Sequence, residues 1–164
     1  MTPLEALNEV FPSYERYYNI IRDNVTEPFD AEAQFVSHNE QYYLVKAAKV
    51  ADIDSNEYVF FKTEDVLTLE RFDELDKIAW DTGISRVVPA LSHKNTDVTL
   101  VIFADRIDND CFVAVKKRRH YKSYCFSLKG YSNYRVIAVE LKLKRFVCNR
   151  QGQSLKKMFV RYTK

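Results

Sequence analysis

The sequence predicts a single α+β domain, with a mixed or antiparallel sheet flanked by helices. Three observations carry that expectation. The chain has 164 residues, 46% hydrophobic and 29% charged, which is enough to build one real core. Segments with helical and strand spacing follow the order αβββαβαβββα, without the strict alternation of a parallel α/β fold. No Pro/Gly/Ser-rich linker and no internal repeat divides the chain, so residues 1–164 read as one domain.

The first element is a helix. Thr2-Pro3-Leu4-Glu5 has the form of a capping box with proline at the first helical position. Leu4, Leu7, Phe11, Tyr14, Tyr18 and Ile21 recur at helical spacing, with Pro12 expected to kink or interrupt the helix and Ser13 able to restart it. Three strands are expected over 32–37, 41–51 and 58–62, the first two flanking a hairpin loop at His38-Asn39-Glu40 and the last following a polar turn at 52–56. Leu69, Phe72, Leu75 and Ile78 mark a helix from Thr68 to Gly83. Val98–Ala104 is short and almost continuously apolar, the pattern of a central strand. Asp108 can cap a helix that ends in Lys116-Lys117-Arg118-Arg119-His120, where cations suit the C-terminal dipole. Tyr121–Lys129 and Tyr134–Leu143 read as a strand pair joined through 130–133, with Ile137, Val139, Leu141 and Leu143 alternating with more polar positions. A further strand is expected at Phe146–Cys148, then a helical stripe of Leu155, Met158, Phe159 and Tyr162.

Composition excludes several classes. Gly83, Gly130 and Gly152 are the only glycines, so neither a dinucleotide fingerprint nor a P-loop can be assembled. The cysteines Cys111, Cys125 and Cys148 are odd in number, as expected of reduced intracellular thiols. Cysteines and histidines lack the close pairing of a zinc site, and no metal or other cofactor is expected of a binding domain built this way. The N-terminus has no secretory pattern, and the longest apolar run is seven residues, so a cytoplasmic protein without membrane contact is expected.

Charge is where a partner enters. The net charge of +2 hides a division. Residues 1–110 carry 10 Lys/Arg and 22 Asp/Glu; residues 111–164 carry 15 Lys/Arg and one acid, Glu140. Lys116, Lys117, Arg118, Arg119 and Lys122 crowd into seven residues, followed by Tyr124, Tyr131 and Arg135. Cations interleaved with aromatics suit a nucleic-acid backbone and stacked bases, and an acidic protein surface is the second candidate partner. The same cations could instead meet the acidic first part of the chain, with Asp73, Glu74, Asp76 and Asp81 as partners. A protein-interaction module or homo-oligomer is a third reading.

The catalytic alternative rests on Val139-Glu140-Leu141-Lys142. An acid and a lysine two apart on a strand share a face. In magnesium-dependent nucleases of the (D/E)-x-K type, such a pair holds the metal and orients water. That arrangement also needs an Asp on the partner strand, and 121–133 contains no acid. Chance on a solvated strand face produces Glu-x-Lys as well.

The first six elements, αβββαβ, resemble the core of restriction-endonuclease-like domains. That resemblance would place the acid-x-Lys pair at 58–62, where Lys62 is present but Phe60 stands in the acid's position, implying a catalytically inactive copy. Tyr121-Lys122-Ser123, 126–131, Arg135, 149–152, Asn56-Glu57-Tyr58 and Phe60-Phe61-Lys62 resemble an uncharacterised family of small bacterial proteins. This second resemblance implies a soluble single-domain protein and no particular activity.

Overall fold

A computed structural model describes residues 1–36 and 54–164. Helix α1, Pro3–Glu15, is capped as expected: the Thr2 hydroxyl accepts from Glu5 N and the Glu5 carboxylate accepts from Thr2 N. Pro12 lies inside it without ending it, on the exposed face, where the carbonyl it leaves unpaired can reach water. The helix ends earlier than its apolar spacing suggested. Tyr18 falls beyond it, and Ile21 belongs to strand β1, Asn19–Ile21.

Strand β2, Ala31–Val36, lies between β1 and the long β3, Asp54–Leu67, both pairings being antiparallel. The expected strand over 41–51 and the loop at 38–40 lie outside the described residues. Helix α2, Leu69–Ser85, is capped by Thr68, and it crosses over to β4, His93–Ile107, which runs parallel to β3. Helix α3, Asn109–Lys117, then leads toward β6, Tyr131–Glu140, parallel to β4. β5, Tyr121–Ser123, and β7, Arg145–Cys148, pair antiparallel with successive stretches of β6 along its far edge. The seven-stranded mixed sheet thus runs β1-β2-β3-β4-β6-β5, with β7 also paired to β6, and this is a single α+β domain.

Both faces of the sheet are covered, which explains why β4 reads as one apolar run. Val59, Phe61, Val101, Phe103, Ile137 and Val139 point toward α1 and the C-terminal turns, which comprise the 3-10 turn Gln151–Leu155, α4 at Lys156–Phe159 and a last 3-10 turn, Val160–Thr163. Phe60, Leu100, Ile102, Val136 and Ala138 point the other way, onto α2 and α3. The two parallel crossovers step in the same direction across the sheet, so both helices land on one face. Phe72, Leu75 and Ala79 of α2 are wholly buried. Each large apolar side chain buried this fully contributes about 1.5–3 kcal/mol.

The segment after β5 departs most from expectation. In place of a strand over 121–129, the chain turns at Cys125, Phe126 and Ser127, which have φ of 49°, 52° and 68°. Such left-handed geometry costs a non-glycine residue about 1–2 kcal/mol. The turn is closed by Lys129 N donating to the Tyr124 carbonyl and Tyr124 N donating to that of Gly130. Gly130 itself has φ 83°, and a Cβ there would sit 2.5 Å from the His93 carbonyl oxygen.

Candidate functional site

The basic segment begins at the C-terminus of α3, whose buried side consists of Cys111 and Val115. That anchorage leaves Lys116 and Lys117 on the exposed side, followed by Arg119. The chain then extends toward β5, because the Asn149 side chain catches the Arg118 carbonyl through Nδ2 at 3.0 Å. Asn149 is buried and uses every polar valence it has. Its Nδ2 also donates to the Tyr134 carbonyl, while Oδ1 accepts from Val136 N and Gly152 N. One amide therefore ties the α3 exit to the 149–152 turn.

Between those two segments lies a small cavity of about 110 Å³, lined by Lys116, Lys117, Arg118, Arg119, Asn149, Arg150 and Gln151. Lys116, Lys117, Arg119 and Arg150 make no ion pair with any described carboxylate, and all four are exposed. Arg118 differs. Its guanidinium reaches the other way, over the Phe72 ring and into Asp73 and Asp76 of α2. His120 joins it on Asp76 at 2.9 Å and stacks on Trp80. Burial pushes the Asp76 carboxyl up, but the His120 and Tyr134 contacts and the Arg118 charge outweigh it, holding Asp76 below its usual value.

The remaining candidates divide in the same way. Lys122 is exposed, with its ammonium 5.5 Å from the Tyr124 ring centre. Tyr124 is buried, its hydroxyl hydrogen-bonded to Ser132 and its ring packed edge-to-face with His93, so it offers no open face. Tyr131 is half-buried and stacks on exposed Tyr121, with ring centres 6.0 Å apart. Arg135 emerges on the same face of β6 as Tyr131, the α1 side, bonded to Asp97 and near Glu57. In the sequence, Arg150 and Phe126 stand out only within the segments that resemble the bacterial family, not as site residues. Arg150 joins the cavity only through the fold, and Phe126 is 99% exposed on the left-handed turn.

Glu140 and Lys142 do not share a strand face. β6 ends at Glu140, which is wholly buried, accepting from Ile107 N at 2.8 Å and from the Arg145 side chain. Lys142 is in the following turn, exposed, with its backbone N–H donating to the Asp105 carbonyl. At the other proposed acid-x-Lys position, Phe60 is buried against Phe29 and Lys62 pairs with Asp30. Among the described residues no three His, Cys, Asp or Glu side chains converge as a metal-binding group. All three cysteines are free thiols, Cys111 and Cys148 buried and Cys125 exposed. Burial, reinforced by Asp110 and Asp108, pushes the Cys111 thiol up to about 12.

A family model described as a domain of unknown function, DUF8052, matches residues 3–161. The chain belongs to the DUF8052 family. No curated protein and no solved structure matches it. Within this DUF8052 domain no described helix is long and apolar enough to cross a membrane.

Proposed function

We propose that this DUF8052 domain is a non-catalytic, cytoplasmic binding module whose basic face takes a polyanion, nucleic acid first and an acidic protein surface second. The observation that carries this reading is the cavity between the α3 exit and the 149–152 turn. Its volume of about 110 Å³ corresponds to roughly three to four waters, the scale of one phosphate group. Four exposed cations surround it, and a buried asparagine fixes the two backbone segments that carry them. Lys122 continues the cationic surface along β5, where a backbone could follow, while the stacked Tyr121–Tyr131 pair emerges on the other side of that strand, at the same sheet edge. Arg118 and Arg135 are spent on carboxylates and leave the set of phosphate contacts, and Tyr124 leaves the set of base platforms.

The magnesium-nuclease alternative has less support, because its acid is a buried structural partner and its lysine lies beyond the strand end. A homo-oligomer through the exposed Phe126 and Leu128 predicts a concentration-dependent mass and no salt-sensitive DNA binding.

The test is fluorescence anisotropy with labelled single-stranded DNA, single-stranded RNA and duplex DNA over a salt series. With one phosphate in the cavity and each of the other three cations on a neighbouring phosphate, four are neutralised and the log–log salt slope on a single strand is about −3. Replacing Lys116, Lys117, Arg119 and Arg150 together by Gln should flatten that slope and leave the thermal melt unchanged. Absence of binding at low salt, or an unaltered slope in the variant, would overturn the proposal.

A further inference from the structure

On the sheet face opposite α2 and α3 is a second, quite different recess. Its floor is set by register. Glu57 of β3 and Asp97 of β4 are direct neighbours across the parallel pair, and Thr99 and Arg135 are neighbours one step further along. All four side chains therefore emerge on the α1 side, at the N-terminal ends of the strands. The Tyr18 hydroxyl and the Thr99 hydroxyl both donate to Glu57, on separate oxygens. Arg135 donates to Asp97 Oδ2 and stands 3.8 Å from Glu57 Oε1. Asp97 Oδ1 has no partner among the described residues.

Among the described side chains of the floor, two carboxylates face one guanidinium, an excess of one negative charge where Glu57 and Asp97 are 7% and 9% exposed. Burial pushes the Asp97 carboxyl up, Arg135 opposes it, and Glu57 adds to it, leaving it above its usual value. Above the floor is a cleft of about 330 Å³ whose walls include Tyr17, Tyr18 and Phe35, with Ser55, Asn56 and Asn95 at the rim. This is within the size range of small-molecule sites, and it combines apolar walls with a few convergent polar groups. Arg16 already lies over one face of Tyr17, at 5.3 Å, so the open aromatic surface is that of Tyr18 and Phe35 together with the Tyr17 edge.

We infer that this cleft binds a small organic cation, a primary amine or guanidine carrying an apolar body. The charged head sits against Asp97 Oδ1, and the body lies on the aromatic wall. Charge complementarity decides the class: the unpartnered group on the floor is an acceptor, the floor carries net negative charge, and electron-rich ring faces favour a cation beside them. An anionic ligand would meet two buried carboxylates, and a purely apolar one would leave the excess charge unmatched. The site is separate from the basic face, so it stands or falls independently of polyanion binding.

Two-dimensional amide NMR with benzylamine, agmatine and the neutral isostere benzyl alcohol tests it on the full chain. Benzylamine should give saturable shifts confined to residues 17–20, 55–57 and 95–97, and benzyl alcohol should bind at least tenfold more weakly. Asp97→Asn should reduce amine affinity at least tenfold. Tyr17→Ala, at a half-exposed position, preserves the fold and should weaken benzylamine severalfold, which keeps the test decisive should Asp97→Asn unfold. The quadruple Gln variant of the basic face should bind the amines unchanged. No saturable shift up to about 10 mM amine would overturn the inference, that limit being weaker than ordinary fragment affinity. Equal binding of benzyl alcohol, or unchanged binding by a folded Asp97→Asn or by Tyr17→Ala, would do so as well.

Discussion

Glu140→Ala separates a structural acid from a catalytic one, and its cost can be worked from the contacts. The carboxylate is wholly buried and accepts the Ile107 backbone N–H at 2.8 Å, with Ile107 itself 2% exposed. Alanine leaves that donor buried without a partner, at about 1–3 kcal/mol. The missing side-chain volume adds about 1 kcal/mol if the site relaxes only partly. The Arg145 side chain is 39% exposed and stays packed on Phe112, so it recovers water and its share is discounted to about 0–1 kcal/mol. The sum is about 2–5 kcal/mol. For a domain of this size each kcal/mol lowers Tm by about 2–4 °C, so the melt should fall by about 4–20 °C. Glu140→Gln keeps an acceptor for Ile107 and should lose only about a third as much. Urea denaturation with matched m-values reads the free energies directly. A Glu140→Ala protein within about 1 kcal/mol of wild type would refute the reasoning, as would a Gln variant equally damaged. Any loss of activity in Glu140→Ala would therefore report unfolding until the Gln variant is compared.

Two further perturbations test the architecture. Asn149→Ala removes a side-chain partner from four backbone groups, of which Gly152 N keeps the residue-149 carbonyl, and should cost about 2–4 kcal/mol by denaturation; a loss below about 1 kcal/mol would mean that the α3 exit is held by other contacts. Asp76 is the acid-sensitive point, because its folded value lies below that of the free carboxyl. Its contribution is present above about pH 4 and disappears as pH falls through the folded value. Asp76→Asn should thus cost about 2–4 kcal/mol at neutral pH, since Arg118 and His120 lose a buried partner, and the gap to wild type should narrow toward pH 2, in a stability–pH series. A constant gap would contradict the assigned sign.

Much of the fold could be read from local signals because they agreed with the tertiary context. Thr2 caps the helix it was expected to cap, α2 starts at Thr68 as expected but runs past Gly83 to Ser85, and the apolar run at Val98–Ala104 is the sheet's central strand. The failures have physical causes. Tyr18 and Ile21 continue the helical period of α1 by coincidence, since Tyr18 is held instead by Glu57, a residue 39 positions away. The strand expected over 121–129 has ordinary β-forming residues, and the turn that replaces it uses no glycine at its three left-handed positions, so no local signal marks it. The Tyr134–Leu143 alternation was right in face and wrong in extent: β6 starts at Tyr131 and stops at Glu140, where the carboxylate bonds to Ile107 N. The basic cluster was legible as a cluster, but Arg150 joins it only through the fold.

The division of charge along the chain resolves by residue type. Among the described residues, the ion pairs reaching from 111–164 to carboxylates use Arg118, Arg135 and Arg145, together with His120. No lysine of that region takes part. Arginine's planar fork can satisfy two acceptors at once and sheds water more readily, so it suits partly buried pairing, whereas an ammonium keeps its hydration. The arginines that pair are half-buried, and each rests beside an acid that is itself buried. Lys116 and Lys117, with Arg119 and Arg150 around the same cavity, are left solvated on one side of the molecule. The near-zero total charge is therefore not a cancellation across one interface. Among the described residues it is a structural set of partly buried Arg–carboxylate pairs, plus a group of unpaired cations around one cavity and, elsewhere, a cleft whose floor carries more carboxylate than guanidinium. The cationic cavity is at the backbone edge of β6, where Asn149 bonds to Val136 and Tyr134, and the anionic cleft is on the α1 face at the N-terminal ends of β3 and β4, so the two charge excesses are spatially separate among the described residues.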